Sequence, residues 1–312
     1  MRAPGVGRDN TQAVDAAVAS EPHCTWPEIE LKCEPTFDPV GLAFDKALKR
    51  KPTRSGLENA LLGNRLAPSL LSAAKVPERL AMTAAIATDP TSDATLGALE
   101  PARREKLAKY VDLLLESAQL FNLTAIVDPN EAWNRHVVES LRLLPLLGPG
   151  SRLIDVGSGG GLPGLVLAIA RPDLAVTLLE VTQKKARFLE QTGSALGLTN
   201  LQVVAERAEI AAARGSAHRE SYDIVTARAV APLPVLAELT APFAKVGGLI
   251  LAIKGEKAAA ELLAAANALW TQHVSHESTV RHPTATILLL RKRAETPSKY
   301  PRRAGEPKRN PL

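Results

Sequence analysis

Cysteine is nearly missing from this sequence: Cys24 and Cys33 are the only two in 312 residues. Both precede the part of the chain that carries regular apolar patterning, and neither has histidine or cysteine partners at a metal-ligand spacing. That excludes a disulfide-built fold and a zinc module, and predicts two incidental thiols in a reducing compartment with no bound metal. Long apolar runs are missing too. No stretch approaches the ~18 to 20 residues that a helix needs to cross a bilayer, which predicts a soluble chain with no membrane partner. Residues 1–20 lack the apolar core of a signal peptide and carry acids that transit peptides avoid, so the expected location is the cytoplasm. Methionine is scarce as well, with only Met1 and Met82.

Hydrophobic residues make up 46% of the chain, enough for a sizeable core. The net charge of +5 is distributed unevenly. Residues 291–312 hold eight bases (Arg291, Lys292, Arg293, Lys299, Arg302, Arg303, Lys308, Arg309) and two acids, and the remainder sums to about −1. A basic tail on a near-neutral body points to a polyanionic partner, because lysine and arginine displace condensed counterions from phosphates. A tail that is merely solvated is the competing reading. Its prolines predict an extended segment, not a helix.

Residues 1–95 have recurrent prolines, a basic cluster at Lys49, Arg50 and Lys51, and poor apolar periodicity. They read as a disordered extension. A start at Met82 would remove nearly all of it, so this stretch is expected to be either a lineage-specific extension or an upstream misassigned start. Residues 96–296 form the expected domain, opened by a helical cap over 101–147, and 297–312 the basic tail.

Within the cap, apolar positions from Pro101 to Phe121 predict one helix, and Asn130 to Leu147 a second, entered through Asp128-Pro129. Strands and helices then alternate. Strands are expected at Arg152–Gly157, Ala175–Glu180, Leu201–Ala205, Tyr222–Ala227 and Leu249–Ile253. Helices are expected at Pro163–Ala170, Thr182–Leu196 and Leu233–Phe243. Val274–Thr279 and Thr284–Leu290 would close the sheet. This is the pattern of an α/β protein with a mainly parallel seven-stranded sheet and helices on both faces.

The segment Gly157-Ser-Gly-Gly-Gly161 follows the first strand and leads through Leu162 and Pro163 into a helix. Such a loop lets a ligand approach bare backbone, and dinucleotide enzymes use a similar one. Asp155, just before the loop, favours the amino group of S-adenosyl-L-methionine over a pyrophosphate. Glu180, ending the second strand, suits ribose hydroxyls in either cofactor class. Arg207-Ala208-Glu209 would meet the adenine edge. Gly157, Gly159 and Gly161 are accordingly expected in the cofactor site, and the sheet with this loop is expected to be a Rossmann-like class I methyltransferase fold.

Two absences narrow the methyl acceptor. Pyrimidine-carbon methylation usually needs a cysteine nucleophile, and neither cysteine lies in the fold. Exocyclic amines are commonly served by an Asn/Asp-Pro-Pro-aromatic loop after the fourth strand, where this chain has Thr226-Ala-Arg-Ala229. An acceptor with a free lone pair, such as guanine N7, fits. Oxygen and small-molecule acceptors stay open.

Several motifs, in order, carry a family resemblance over about Arg103 to Leu312. They are Phe121-Asn-Leu-Thr-Ala125, Asp128-Pro-Asn-Glu131, Arg135-His136, Glu139-Ser-Leu141, the glycine loop and Lys184-Lys-Ala-Arg-Phe-Leu189. Arg207-Ala-Glu209, Thr226-Ala-Arg-Ala229, Leu251-Ala-Ile-Lys-Gly255 and the terminal Lys299-to-Leu312 motif complete the set. Together they resemble the glucose-inhibited division protein B family, the bacterial 16S rRNA guanine-N7 methyltransferases. The resemblance implies S-adenosyl-L-methionine contacts at Gly157, Leu162, Ala208, Glu209 and Arg228. It implies an RNA-facing active site at Asn122, His136, Arg228 and Lys254. The partner would be 16S rRNA or the small ribosomal subunit, the acceptor a guanosine of the 530 loop, and the protein a monomer. Val127, in place of a basic residue, and Trp133-Asn134 depart from the pattern and put one RNA contact and the cap packing in doubt. Lys184, Lys185 and Arg187 read as a solvated face, with Phe188 and Leu189 in the core. The rival readings are a methyltransferase with a small-molecule or protein acceptor and a non-catalytic ribosome-assembly factor.

Mass spectrometry of the native N-terminus tests the alternative start. A mature chain beginning near Met82 is the outcome expected for a misassigned start, and abundant peptides from residues 1–80 contradict it.

Overall fold

The protein is described by a computed structural model over residue 97 and residues 99–312. The expectations for residues 1–95, including both cysteines, the Lys49–Lys51 cluster and Met82, lie outside the described residues.

Helix α1 (Pro101–Ala118) opens on a proline, where the missing N–H costs nothing, and buries Leu107, Tyr110, Val111 and Leu114 along one face. The second cap segment departs from the expected regular helix. Asp128 caps α2 (Pro129–Ala132), its Oδ1 accepting from the Glu131 N–H at 2.7 Å. A π-helical turn, Trp133–Val138, then intervenes before α3 (Glu139–Leu141). Beyond it the chain tightens into a 3₁₀ turn at Leu144–Leu146, where Pro145 has no N–H to continue an α-helix.

The sheet has seven strands: β1 (Arg152–Val156), β2 (Ala175–Leu179), β3 (Leu201–Val204), β4 (Tyr222–Arg228), β5 (Ala244–Lys254), β6 (Val274–Arg281) and β7 (Thr286–Lys292). Their order is β3-β2-β1-β4-β5-β7-β6, with β7 antiparallel to both its neighbours and the other pairings parallel. The expected mainly parallel, seven-stranded sheet is therefore present. Strand order reverses between β1 and β4, which opens a crevice at their carboxyl ends. Helices α4 (Gly164–Ala170) and α5 (Gln183–Ala195) follow β1 and β2, and the short α6 (Ala208–Ala211) follows β3. Helix α7 (Leu233–Thr240) follows β4. Two helices between β5 and β6, α8 (Ala258–Ala264) and α9 (Ala266–Thr271), went unassigned from sequence. Their buried positions are mostly alanine, which leaves little amphipathic signal.

Strand alternation divides the core between the two faces. Leu153, Ile224, Leu249 and Leu251 pack with the cap, α4 and α5. Ile154, Val156, Val225, Ala227, Ile250 and Ala252 pack with α7, α8 and α9. By the same parity Asp155, Thr226 and Arg228 belong to the cap face, and Lys254 to the other.

The basic tail is not an extended, free segment. Tyr300 and Pro307 are buried, Glu306–Arg309 forms a short helix, α10, and Leu312 packs against the core beneath α7. Four of its eight bases are engaged within the fold. Arg291 pairs with Glu277, as does Arg293. Lys292 is buried against Ala241 O, Thr296 Oγ1 and Glu220. The Arg302 guanidinium meets Glu238 of α7 at 2.6 Å, with the Glu238 side chain only 1% exposed. Prolines ruled out a long helix but not a four-residue one, which places Pro307 where an N–H is not needed.

The buried Arg302–Glu238 pair makes a direct test of this docking. Arg302→Ala would leave a carboxylate without its cation, a change that costs about 3 kcal/mol or more. Urea unfolding should show that loss; an unchanged midpoint would mean the tail does not depend on the pair.

Candidate functional site

The loop after β1 is built from its backbone outward. Gly157 sits at φ +74°, a backbone conformation that favours glycine, and a Cβ there would lie 2.7 Å from Val230 Cγ2, so any other residue would have to push the Val230 side chain aside. The N–H groups of Gly157 and Ser158 both point at Leu179 O of β2. Gly160 lies so close to α1 that a Cβ would meet Leu114 Cδ1 at 2.8 Å. There the Tyr110 hydroxyl donates to Gly160 O at 2.9 Å. Tyr110 was not anticipated from sequence. Its partner lies fifty positions away in the chain.

Asp155 is fully buried. Its Oδ2 accepts from Gly164 N at 3.1 Å and its Oδ1 from Thr226 Oγ1 at 2.8 Å, while Ser158 Oγ donates to its carbonyl. The expectation was a carboxylate presented to a ligand amino group. The structure instead places it beneath the loop, joining β1, β4 and the start of α4. Strand parity is the reason: the side chain of Asp155 points into the cap-face core, beside Leu153.

Glu180 is also buried, at the carboxyl end of β2. Its Oε2 accepts from Gly159 N at 2.9 Å and its Oε1 from Thr182 N at 2.7 Å. A carboxylate has about four lone-pair sites, so each oxygen retains capacity for a hydroxyl donor. Gly157, Gly159 and Leu162 are half-buried and Gly161 is buried. Ala208 and Glu209 are half-buried at the start of α6, and Glu209 Oε1 accepts from Gly305 N at 2.7 Å. The tail therefore reaches the segment expected to meet adenine.

Arg228, the last residue of β4, crosses to the cap. Its Nη1 donates to Arg135 O at 3.0 Å, and its Nη2 lies 3.4 Å from Glu139 Oε2. His136 is on the same π-helical turn, only 5% exposed, with its Nε2 at 2.8 Å from Thr124 Oγ1. Thr124 Oγ1 also accepts from Ile126 N, which leaves its hydroxyl proton for the imidazole. Asn122 is exposed on the same loop, flanked by Phe121, whose ring meets Phe188 edge-on at 6.3 Å. Phe188 and Leu189 are buried and Lys184 is exposed, as expected from the spacing of α5.

Lys254 does not join this group. It is 8% exposed, on the opposite parity from Arg228, with its Nζ at 2.8 Å from Glu261 Oε2 of α8 and 2.5 Å from Ala231 O. A cation at a strand's end looked equivalent to Arg228, but β5 runs one residue past the pairing of Arg228 with Ile253, which turns Lys254 to the other face. Its partner, Glu261, lies on a helix that was not foreseen. Among the described residues no group of three or more His, Cys, Asp or Glu side chains could hold a metal ion, and no helix is long and apolar enough to cross a membrane.

Burial, reinforced by the positive charge of Arg228, pushes the His136 ring down to about 4. Burial raises the Asp155 carboxyl to about 6, against the opposing pull of its hydrogen bonds. The two have opposite linkage. Unfolded His136 binds its proton first, so the fold loses stability as pH falls from about 6.5 towards 4. Folded Asp155 binds its proton first, so its contribution is fully present below about 4 and is lost as pH rises to about 6. At neutral pH the site holds a neutral imidazole and an ionised, buried carboxylate.

With this geometry in place, comparison with known proteins is specific. The family described as rRNA small subunit methyltransferase G matches residues 103–288. The chain is 50% identical over 208 residues to the Ribosomal RNA small subunit methyltransferase G of Sorangium cellulosum, covering 66% of this chain and 86% of that one. It is 43% identical over 226 residues to the protein of the same name from Symbiobacterium thermophilum, covering 68% and 92%. A solved SAM-dependent methyltransferase from Aquifex aeolicus is a remote likeness, 16% identical with a TM-score of 0.42 over 53% of this chain and 94% of that one, too distant to bear on the chemistry.

The enclosure of the His136 ring is open to direct measurement. An NMR titration of its ring protons should show no protonation above about pH 5. A midpoint at or above pH 6 would mean that the ring is not enclosed between the cap and Arg228.

Proposed function

The chain belongs to the rRNA small subunit methyltransferase G family, and from that premise we propose that it transfers a methyl group from S-adenosyl-L-methionine to N7 of a guanine in the 530 loop of 16S rRNA. The observation that carries this reading is a convergence at the switch point of the sheet. The bare glycine loop, Glu180, Ala208 and Arg228 all lie at carboxyl ends of strands β1 to β4, with the cap closing over the same face.

The residues present fit an adenosine-bearing methyl donor. Gly157 and Gly159 leave backbone accessible, and a Cβ placed on Gly159 would meet only Gly157 O, at 4.0 Å. Glu180 has lone pairs left for ribose hydroxyls, and Ala208 offers backbone and a small side chain to a planar base. The donor supplies a methyl group carried on a sulfonium. The backbone of Gly157, Gly159, Gly161 and Leu162, with Glu180, Ala208 and Glu209, would hold it. Asp155 acts here through the loop, fixing Gly164 and Thr226, rather than by direct contact.

Guanine N7 has no proton to lose, so no general base is needed. The work left to the protein is alignment and electrostatics. Arg228 is the residue placed to perform it, since it stands at the crevice on the cap face. Its charge is balanced by Glu139, which matters because the purine ring itself becomes cationic on methylation. His136, neutral and enclosed, holds Thr124 and so shapes the loop that presents Asn122 to RNA. Lys254 has no direct role in this account; it secures the loop after β4 through Ala231. The exposed cations Lys299, Arg303, Lys308 and Arg309, on a docked tail, are available to RNA phosphates. The protein acts as a cytoplasmic monomer, on 16S rRNA or the small subunit.

Small-subunit RNA and intact subunits lacking the modification, incubated with the protein and labelled donor, test the reading. N7-methylguanosine should map to the 530 loop; label elsewhere or nowhere would overturn the assignment. Arg228→Ala should lower turnover at least about a hundredfold, the loss expected when reacting groups are misplaced by about 1 Å. Circular dichroism checks that the variant is folded, because it also leaves Glu139 short of its partner. Near-normal turnover would remove Arg228 from the site.

A further inference from the structure

The π-helical turn of the cap has a local consequence at Arg228. In a regular α-helix the N–H of Glu139 would bond to the carbonyl four residues back, that of Arg135. Here it reaches five back, to Asn134 O. The Arg135 carbonyl is thereby open to another donor, and Arg228 Nη1 takes it at 3.0 Å. One turn on, Glu139 Oε2 stands 3.4 Å from the second terminal nitrogen, Nη2. A guanidinium is a flat, rigid fork: the hydrogen bond to Arg135 O holds one prong, and the Glu139 carboxylate stands beside the other as its ion-pair partner.

Glu139 is well suited to this and to little else. Its side chain is 7% exposed, and no hydrogen bond to Oε1 is formed; Arg135 Nε lies 3.7 Å from that oxygen. A buried carboxylate is costly unless it is paired, and its closest pairing is with Arg228. Glu139, Pro163, Arg228 and Ile253 line one small cavity, between the exit of the glycine loop and the ends of β4 and β5. His282, Ala285 and Ile287 close that cavity on its other side. Because Arg228 is the last residue of β4, the pair stands at the carboxyl end of that strand.

We propose that Glu139, together with the Arg135 carbonyl exposed by the π-turn, is a positioning device that holds the Arg228 guanidinium at the crevice. Glu139 is a positioning residue, acting through Arg228 without touching the reacting atoms. This rests on the reading of Arg228 given above. It also gives the π-turn a purpose, in keeping with the frequency of such turns at functional sites. Regularising the turn would return the Arg135 carbonyl to the helix and remove one of the two acceptors.

A double-mutant cycle on the full chain tests it, with unmodified small subunits as acceptor. Glu139→Gln should lower kcat at least about tenfold in the wild-type background while the thermal midpoint, read in parallel, reports folding. In an Arg228→Lys background, where the fork is already lost, the same change should alter kcat by less than about twofold. Equal slowing in both backgrounds, or a Glu139→Gln enzyme within about twofold of wild type, overturns the proposal. Glu131→Gln, an exposed carboxylate on the same cap, is the control expected to leave kcat unchanged. Should wild-type protein fail to label rRNA, the functional reading falls. The cycle is then scored on S-adenosylhomocysteine affinity by calorimetry, where a loss seen only with Arg228 intact supports positioning and equal losses refute it.

Discussion

A single buried carboxylate ties the working end of this fold together. Asp155 receives the Gly164 N–H at the head of α4 and the Thr226 hydroxyl from β4, and its own carbonyl receives Ser158 Oγ. It forms no ion pair and is held mainly by hydrogen bonds, with a smaller pull from the charge of Arg228, and burial raises its protonation point to about 6. Such a group is tolerated only when its acceptor capacity is used, because an unmade bond in the interior costs the full desolvation of the charge. The glycine loop turns where it does because its next helix begins on that carboxylate. Everything placed by the loop follows from this: the Tyr110 contact from the cap, the Glu180 contact from β2, and the close approach of Val230 after β4.

The same face of the sheet collects the rest of the site. Alternation along β4 sends Thr226 to Asp155 and, two residues on, Arg228 to the cap. One strand thus supplies both the anchor of the loop and the cation of the crevice. Because Arg228 bonds to cap backbone and to Glu139, cap and sheet are joined across the site, not merely packed behind it. The C-terminal segment reaches the crevice from the other side through Gly305 and Glu209. A basic tail that looked like an appendage is a structural part of the domain.

Much of the architecture was legible in the sequence. Strand and helix alternation gave the sheet, and the turn residues located most strand boundaries closely; β5, however, begins at Ala244 and runs through Gly247-Gly248, five residues before the expected start at Leu249. The glycine loop, Glu180 and Arg228 were placed where the fold puts them. What escaped depends on phase and on long-range partners. Lys254 and Arg228 both end strands, and only the pairing of β4 with β5 reveals that they face opposite ways. Asp155 is acidic and adjacent to the loop in sequence, but adjacency does not tell whether a side chain points at a ligand or into the core. Tyr110 and Gly160 share nothing local. A π-turn has no side-chain signature in a single sequence, and the alanine-rich α8 and α9 have almost no amphipathic one. The tail's docking rests on Glu238, a carboxylate that α7 buries for Arg302 and that would otherwise read as surface.

Donor and acceptor are expected to meet on the cap face, between the glycine loop and Arg228. A crystal structure with S-adenosylhomocysteine tests that placement directly. The ligand should lie over Gly157–Gly161, with its ribose at Glu180, its adenine at Ala208 and its sulfur on the Arg228 side. A ligand bound on the Lys254 face, or one that leaves the Gly157–Gly161 backbone untouched, would contradict it.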